Sequence, residues 1–181
     1  MIKGLMLLAD GFEETEAIST HDILTRTHEI EVTYVSISDS LFVKSSMGLK
    51  VEALALLKDV KAEDYDFIVL PGGKVGVENI KNSPAAIEMI KRFHDLGKKY
   101  YAICAAPSIL GELGYLDGKN YVCFPGFQKG KGNWMDKGSV IDGDLVTGRS
   151  MNYTIEFASN IVRVLLGEEA LARIEHGTKG I

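Results

Sequence analysis

An apolar strand that turns directly into a helix is predicted by residues 100–107, YYAICAAP. Residues 100–103 carry no charge, and Ala105 opens a helix that we expect to extend to about Leu113. A strand without polar alternation is typical of the interior of a parallel sheet, where both faces are covered. This segment therefore predicts an α/β fold and places Cys104 where the strand ends.

The same strand-then-helix pattern recurs along the chain. Strands are predicted at residues 2–9, 30–37, 67–70, 100–104 and 121–124, and hairpins at residues 41–56 and 139–147. Helices are predicted at residues 13–26, 83–96, 105–113, 153–166 and 168–175. The helix at 153–166 is expected to turn one set of side chains inward: Ile155, Ala158, Ile161, Val162 and Leu165. We expect one domain over residues 1–181, a mostly parallel sheet sandwiched between helices.

Composition and charge exclude several classes of function. The chain has 181 residues and is 46% hydrophobic, which suits one domain with a full core. The net charge is −5, and the most basic stretch, residues 129–137, is predicted to be a solvated loop, so no nucleic-acid partner is expected. No apolar run suits a membrane span or a signal peptide, so we expect a cytoplasmic protein without a membrane partner. Its two cysteines, Cys104 and Cys123, should then stay reduced.

Cys104 carries the sharpest chemical signal in the sequence. Ligands of open parallel sheets bind beyond the carboxyl ends of the strands, and a cysteine between a strand and a helix resembles a nucleophile elbow. The helix amides predict a lowered thiol pKa and a reactive thiolate. The segment by itself fits a buried, inert core cysteine as well. Cys123 is predicted to be such a core thiol.

The turn after the strand at residues 67–70 offers backbone donors. Gly72 and Gly73 have no side chain in the way, so their amides could hold an oxyanion or a substrate carboxylate. A tight strand-to-helix turn without chemistry fits the same residues. By itself, this turn predicts no activity.

Three acids follow the first predicted strand. Glu13 and Glu14 are expected to complement the dipole of the first helix. Glu16 lies further into the helix, and its neighbours Ala17 and Ile18 indicate an inward face. A carboxyl kept protonated by burial could donate a hydrogen bond to a thiolate.

Taken together and in order, these segments resemble the ThiJ/PfpI superfamily. The motifs are residues 11–16 (GFEETE), 69–73 (VLPGG) and 102–107 (AICAAP), and residues 155–158 (IEFA) extend the similarity over nearly the whole chain. The similarity is to the branch of the Parkinson-disease protein DJ-one and the bacterial protein YajL. It implies a flavodoxin-like fold, similar to class I glutamine amidotransferases, with no cofactor and no metal.

The resemblance also implies roles for individual residues. Cys104 matches the oxidisable nucleophile of the family, and Glu16 matches the acid that hydrogen-bonds its sulfur. Gly72, Gly73 and Ala105 match the positions whose amides face the site.

The resemblance further implies association of two chains. The family generally forms homodimers through its first helix and neighbouring segments. Arg26 matches a helix arginine near that dimer contact.

Some residues depart from the family pattern. Relatives with Cys-His amidase or protease chemistry have a histidine directly after the nucleophile, where this chain has Ala105. Phe124 stands where some relatives have a histidine, and residues 150–153 (SMNY) replace a Gly-Pro-Gly-Thr turn that lines the pocket in relatives. None of the histidines lies in a segment expected at the site: His21, His28, His94 and His176. A general base for hydrolysis is therefore hard to find.

These observations leave two functional hypotheses. In the first, the chain is a cysteine-dependent enzyme that acts on a small reactive aldehyde or a glycated amine, as a glutathione-independent glyoxalase or a deglycase. In the second, it is an oxidative-stress-responsive redox sensor or chaperone, and Cys104 is oxidised to a sulfinate that Glu16 and nearby amides stabilise. Amidase or protease chemistry is disfavoured by the missing histidine.

Overall fold

The structure, a computed structural model, describes residues 1–181. Its strands are β1 Ile2–Leu8, β2 Ile30–Ser36, β3 Phe42–Lys44, β4 Lys50–Glu52, β5 Ala55–Leu56, β6 Phe67–Leu70, β7 Lys99–Ile103, β8 Asn120–Tyr121, β9 Asn133–Trp134, β10 Ser139–Asp142 and β11 Leu145–Gly148. Its helices are α1 Glu14–Thr25, α2 Lys74–Lys81, α3 Pro84–Asp95, α4 Pro107–Glu112, α5 Thr154–Leu166 and α6 Glu168–Lys179. Short 3₁₀ turns lie at Leu57–Asp59, Ala62–Asp64 and Met151–Tyr153.

Seven strands form the central sheet, in the order β10-β11-β7-β6-β1-β2-β5. Every neighbouring pair in it is parallel except β10 and β11, which form an antiparallel hairpin. A second hairpin pairs β3 with β4, and β8 pairs with β9 in a small separate sheet. The prediction of a mostly parallel sheet is confirmed.

Both faces of the sheet are buried, as its unbroken apolar strands predict. Along β1, Leu5 and Leu7 join the core on one face, and Met6 and Leu8 join the core on the other. Side chains from α2, α3 and α4 cover the first face, and side chains from α1, α5 and α6 cover the second. The helices on both faces therefore complete the predicted sandwich. No helix combines the length and the apolar composition that a membrane crossing needs.

Several predicted boundaries are wrong. The helix expected from Ala105 begins at Pro107 instead, after a turn. The strand expected at residues 121–124 ends at Tyr121, and α2 and β9 were not predicted. Ile155, expected on the inner face of α5, is 53% exposed.

The strand order brings three loops together. Strands β7, β6 and β1 are neighbours in the sheet and run parallel, so their carboxyl ends meet at one edge. Cys104 follows β7, Gly72 and Gly73 follow β6, and the segment that follows β1 leads into α1. The edge predicted to carry the site is thus formed by adjacent strands.

Candidate active site

Cys104 lies on a sharp backbone elbow. Its φ of 64° is in the left-handed region, which a residue with a side chain adopts only under constraint. The constraint comes from two hydrogen bonds: its amide donates to the carbonyl of Gly148 at 2.9 Å, and its carbonyl accepts from the amide of Phe124 at 2.8 Å. The side chain is half-buried and packs against the core that α1 and α5 cover. The elbow geometry predicted for Cys104 is therefore present.

Glu16 is buried beside that elbow. Only 1% of the residue is exposed, and its Oε2 accepts a hydrogen bond of 2.7 Å from the amide of Gly72. Its other oxygen, Oε1, is buried and has no hydrogen-bond partner with the geometry of a standard bond. Burial raises the pKa of Glu16 to about 8; the charge of Glu13 acts in the same direction, and bonds to Gly72 and Cys104 oppose them. The carboxyl is therefore mostly protonated at neutral pH, as its inward position predicts.

The thiol of Cys104 is less acidic than its position predicts. Its pKa is raised to about 12, chiefly by burial and in addition by the charge of the Glu16 carboxylate and its hydrogen bond with the thiol. The amides of Gly73 and Ala105 hydrogen-bond the sulfur and lower the pKa, but they do not offset burial. The prediction of a lowered pKa is wrong, because the removal of the sulfur from water outweighs the backbone donors.

The effect of Glu16 on the thiol depends on which form the carboxyl takes. An ionised Glu16 repels a thiolate, whereas a protonated Glu16 has no charge and can donate its proton to the sulfur. Because the pKa of Glu16 is about 8, the protonated form dominates at neutral pH. When the thiol ionises, the pair therefore holds one proton between an acid and a sulfur.

Gly72 makes the close approach of these two side chains possible. A Cβ at this position would lie 2.4 Å from Oε2 of Glu16 and 2.6 Å from Cβ of Cys104. Gly73 has a φ of 91°, and a Cβ there would lie 2.3 Å from the carbonyl oxygen of Gly11. The glycines are thus required by packing as well as by the amides that they present.

The other acids of the segment have structural partners. Glu13 caps α1, because its Oε2 accepts from the amide of Glu16 at 2.7 Å. Glu14 instead reaches the tip of the β3–β4 hairpin, where Ser46 Oγ donates to it at 3.0 Å and the amide of Met47 at 3.3 Å. The expectation that both only complement the helix dipole is therefore incomplete.

Two of the four histidines pack against aromatic rings instead of joining the site. His21 packs on Tyr34 with ring centres 4.8 Å apart, and His94 stacks on Tyr115 at 3.7 Å. None of the four histidines contributes to the pKa of Cys104 or of Glu16. The structure contains no group of three or more His, Cys, Asp and Glu side chains arranged to hold a metal ion.

The segment at residues 150–153 packs against the loop before β10. A Cβ on Gly138 would lie 2.2 Å from the ring of Tyr153, so a glycine is needed where this tyrosine rests. Arg149 pairs with Asp136 at 2.6 Å and lies over the ring of Trp134. This side of the site is thus built from packed aromatic and charged side chains.

Two backbone contributors were not predicted. Gly148 and Phe124 fix the elbow through their main-chain atoms, which sequence patterns do not reveal. Gly148 does carry a usable signal, a glycine at the end of an apolar strand: a Cβ there would lie 2.8 Å from the side chain of Ile103. Surface cavities of 310 to 580 Å³ lie elsewhere on the chain and are not lined by Cys104 or Glu16.

An α/β sandwich with a cysteine on a strand-to-helix elbow, facing a buried acid and free backbone amides, defines a class of protein rather than one activity. This chain belongs to the DJ-1/PfpI family, whose model matches residues 3–164. The resemblance deduced from the motifs is thereby confirmed.

Individual relatives agree with the assignment to this family. The chain is 34% identical to Protein DJ-1 homolog B of Arabidopsis thaliana over 96% of its own length, but it spans only 40% of that protein. It is 30% identical to the glutathione-independent glyoxalase DJR-1.2 of Caenorhabditis elegans, covering 91% of this chain and 89% of the relative. It is also 30% identical to a deglycase of Pyrococcus abyssi, over 82% and 90% of the two chains.

Solved structures share the fold along nearly the whole chain. A DJ-1 superfamily protein from Salmonella typhimurium, solved as a cysteine-to-alanine mutant, has a TM-score of 0.91 and 34% identity, over 99% of this chain and 98% of the other. Oxidized DJ-1 of Toxoplasma gondii has a TM-score of 0.90 and 32% identity, with the same coverage.

Proposed function

We propose that the protein is a cysteine-dependent enzyme that converts reactive α-dicarbonyl compounds, or their early adducts on amino groups, into hydroxy acids without glutathione. The observation that carries the proposal is the buried Glu16 carboxyl, which has a pKa of about 8. It lies close to Cys104, and Gly72 packs against both side chains. The names of the worm glyoxalase and the archaeal deglycase support the same substrate class.

The reaction needs one nucleophile and one group that moves protons. The thiol of Cys104 loses its proton to solvent, and the thiolate adds to the aldehyde carbon of methylglyoxal. Glu16 gives its proton to the aldehyde oxygen, which forms a hemithioacetal and leaves Glu16 ionised. The amides of Gly73 and Ala105, which hydrogen-bond the sulfur, lie where they can also stabilise the oxygen that gains charge. This step requires Glu16 in its protonated form, because an ionised acid would oppose a thiolate.

The remaining steps are an internal redox reaction and a hydrolysis. Glu16, ionised after it has given up its proton, takes the hydrogen of the former aldehyde carbon as a proton and returns a proton to the neighbouring carbonyl carbon. The first carbon is thereby oxidised to a thioester and the second is reduced to an alcohol. Water then hydrolyses the thioester to lactate and restores the thiol, so no outside oxidant or reductant is consumed.

A second candidate function is redox sensing or chaperoning. It is favoured by the partial exposure of Cys104 and by the relative whose structure is described as oxidized. Two equivalents of hydrogen peroxide would convert the thiol to a sulfinate and release two of water, and a protonated Glu16 would donate a hydrogen bond to the sulfinate. Amidase or protease chemistry lacks a histidine beside Cys104.

The proposal also includes association and location. We propose a homodimer in the cytoplasm that takes no nucleic-acid or membrane partner. The surface of α1 supports the dimer, because Ile18 is 41% exposed there and Arg26 pairs only with Asp22 of α1, at 2.8 Å. An apolar residue left on such a face is suited to a two-fold contact.

Lactate formation from methylglyoxal tests the enzymatic proposal. We expect lactate from the unmodified protein and from Cys123→Ser, and none from Cys104→Ser. Lactate formed equally by Cys104→Ser would refute the thiolate mechanism. If the unmodified protein forms no lactate and peroxide readily oxidises Cys104, the redox function replaces the enzymatic one.

A further inference from the structure

The turn after Cys123 presents an exposed aromatic ring beside the elbow. The amide of Phe124 donates to the carbonyl of Cys104, and Phe124 is nevertheless 44% exposed. A tight turn holds it there: the amide of Phe127 donates to the carbonyl of Phe124 at 3.0 Å, and Gly126 between them has a φ of 92°. The ring of Phe127 meets that of Phe124 edge-on, with centres 6.2 Å apart. Phe124 is therefore fixed before any ligand arrives.

Exposed apolar side chains also lie close in sequence to the other backbone partners of the elbow. Val75, two residues after the sulfur-binding amide of Gly73, is 60% exposed. Met151, three residues after the carbonyl of Gly148 that binds the elbow, is 50% exposed. Three of the segments that hydrogen-bond Cys104, those of Gly73, Phe124 and Gly148, thus leave apolar side chains exposed.

Most charges near these segments already have partners. Arg149 pairs with Asp136, and Glu13 accepts from the amide of Glu16. Lys74 is exposed at the first position of α2 and makes no ion pair. It is the cation that would favour an anionic substrate over an apolar one.

We infer that the Cys104 site selects α-oxoaldehydes that carry an apolar or aromatic substituent, with Phe124 as the residue that determines this specificity. The inference rests on the proposed function. A substrate ring can pack against Phe124 in the edge-on manner that Phe127 already shows, and it covers apolar surface that is otherwise in water. A methyl group offers much less area, and a carboxylate would lose hydration against the same surface.

The test compares three substrates and two alkylating agents. We would measure kcat/KM for phenylglyoxal, methylglyoxal and the anionic α-oxoaldehyde 4,5-dioxopentanoate, together with alkylation of Cys104 by iodoacetamide and by its N-benzyl derivative. Both sets are measured on the unmodified protein, Phe124→Ala, the shape-conserving Phe124→Leu, and Phe42→Ala. Phe42, an exposed phenylalanine on the β3–β4 hairpin, serves as the matched control.

The expected result is a preference for phenylglyoxal that falls roughly tenfold in Phe124→Ala, less in Phe124→Leu and not at all in Phe42→Ala. The benzyl reagent should show the same pattern. The alkylation measurements need no turnover, so they decide the inference even if all three aldehydes prove inert and the proposed function fails. Unchanged selectivity in Phe124→Ala, or a preference for 4,5-dioxopentanoate, would overturn the inference and favour Lys74 instead.

Discussion

Cys104 and Cys123 lie on neighbouring segments that a backbone hydrogen bond joins, yet they differ in solvent exposure and pack on different faces of the sheet. The residue after Cys123 donates its amide to the carbonyl of Cys104. Cys104 sits on a left-handed elbow, half-exposed, against the core on one face of the sheet. Cys123 is 0% exposed and belongs to the core on the other face. Nearby positions in a fold can therefore differ completely in access.

Acidity does not separate the two thiols. Burial raises the pKa of Cys104 to about 12 and that of Cys123 to about 11. What differs is the neighbour: Cys104 has a protonatable acid and two backbone donors, whereas Cys123 has the indole of Trp134, which lowers its pKa slightly against burial. The two thiols therefore differ in their exposure to solvent and in whether a neighbouring acid can share a proton, and not in having a low pKa.

The largest expected effect is the difference in labelling between the two cysteines. Iodoacetamide should modify Cys104 roughly 100-fold faster than Cys123 or more, because the buried thiol reacts only after local opening. Mass spectrometry of tryptic peptides after timed labelling measures both rates in one sample. Equal or preferential modification of Cys123 would contradict the claim that Cys104 is the more reactive cysteine.

Replacing Glu16 sharpens the contrast by removing what only Cys104 has. Glu16→Gln keeps a donor but not a transferable proton, so Cys104 should still be alkylated while lactate formation is lost. Glu16→Leu also removes the donor and should slow alkylation roughly 10- to 100-fold, the size of a charge-assisted hydrogen bond. Alkylation of Glu16→Leu at the unmodified rate would show that the acid does not act on the sulfur.

A methyl group at position 72 should disturb Cys104 alone. Gly72→Ala places a Cβ 2.4 Å from Glu16 and 2.6 Å from Cys104, so we expect a loss of turnover and about 1–3 kcal/mol of stability. Gly177→Ala in α6, where a Cβ meets nothing within 4 Å, is the matched control and should retain both. Urea unfolding and the lactate assay measure the two effects, and an active, fully stable Gly72→Ala protein would contradict the described packing.

The smallest expected effect concerns the surface of α1, on the Cys104 side of the sheet. The unmodified chain should scatter light as a particle of about twice 19.8 kDa. Arg26→Ala should weaken this dimer several-fold, by about 1 kcal/mol. Replacing Arg92 of α3 with Ala breaks a comparable exposed pair with Glu63 and should not weaken the dimer. A clean monomer at micromolar concentration would refute the dimer itself.

The sequence predicts the parts of this molecule that burial governs strand by strand. The sequences of β1, β6 and β7 are largely apolar on both faces, and such strands have few alternatives to a covered parallel sheet. The meeting of Glu16 with Cys104 followed from the same topology together with the family resemblance. The proximity of these two residues was therefore predictable.

Details that depend on exact packing were not predictable. The sequence places both Ala17 and Ile18 on an inward face of α1, but Ile18 is 41% exposed, whereas Ala17 is fully buried. Along α5 the buried stripe is centred on Phe157, which leaves Ile155 outside. Helix α2 has no side-chain cap, because Gly73 precedes it, so its start gave no signal. The prediction of a lowered pKa for Cys104 is wrong because a sequence does not show how far a sulfur is removed from water.

The central claim is that Glu16 is a neutral acid near Cys104 at physiological pH, and pH-dependent unfolding tests it most directly. A carboxyl whose folded pKa is raised stabilises the fold fully below its unfolded pKa of 4.5, and this contribution is lost as the pH rises to about 8. We predict that the unmodified protein loses stability relative to Glu16→Gln by about 1.4 kcal/mol per pH unit across that range, and that the difference then becomes constant. A difference in unfolding free energy that stays the same from about pH 4 to about pH 9 would show an ordinary, ionised carboxylate and contradict the account.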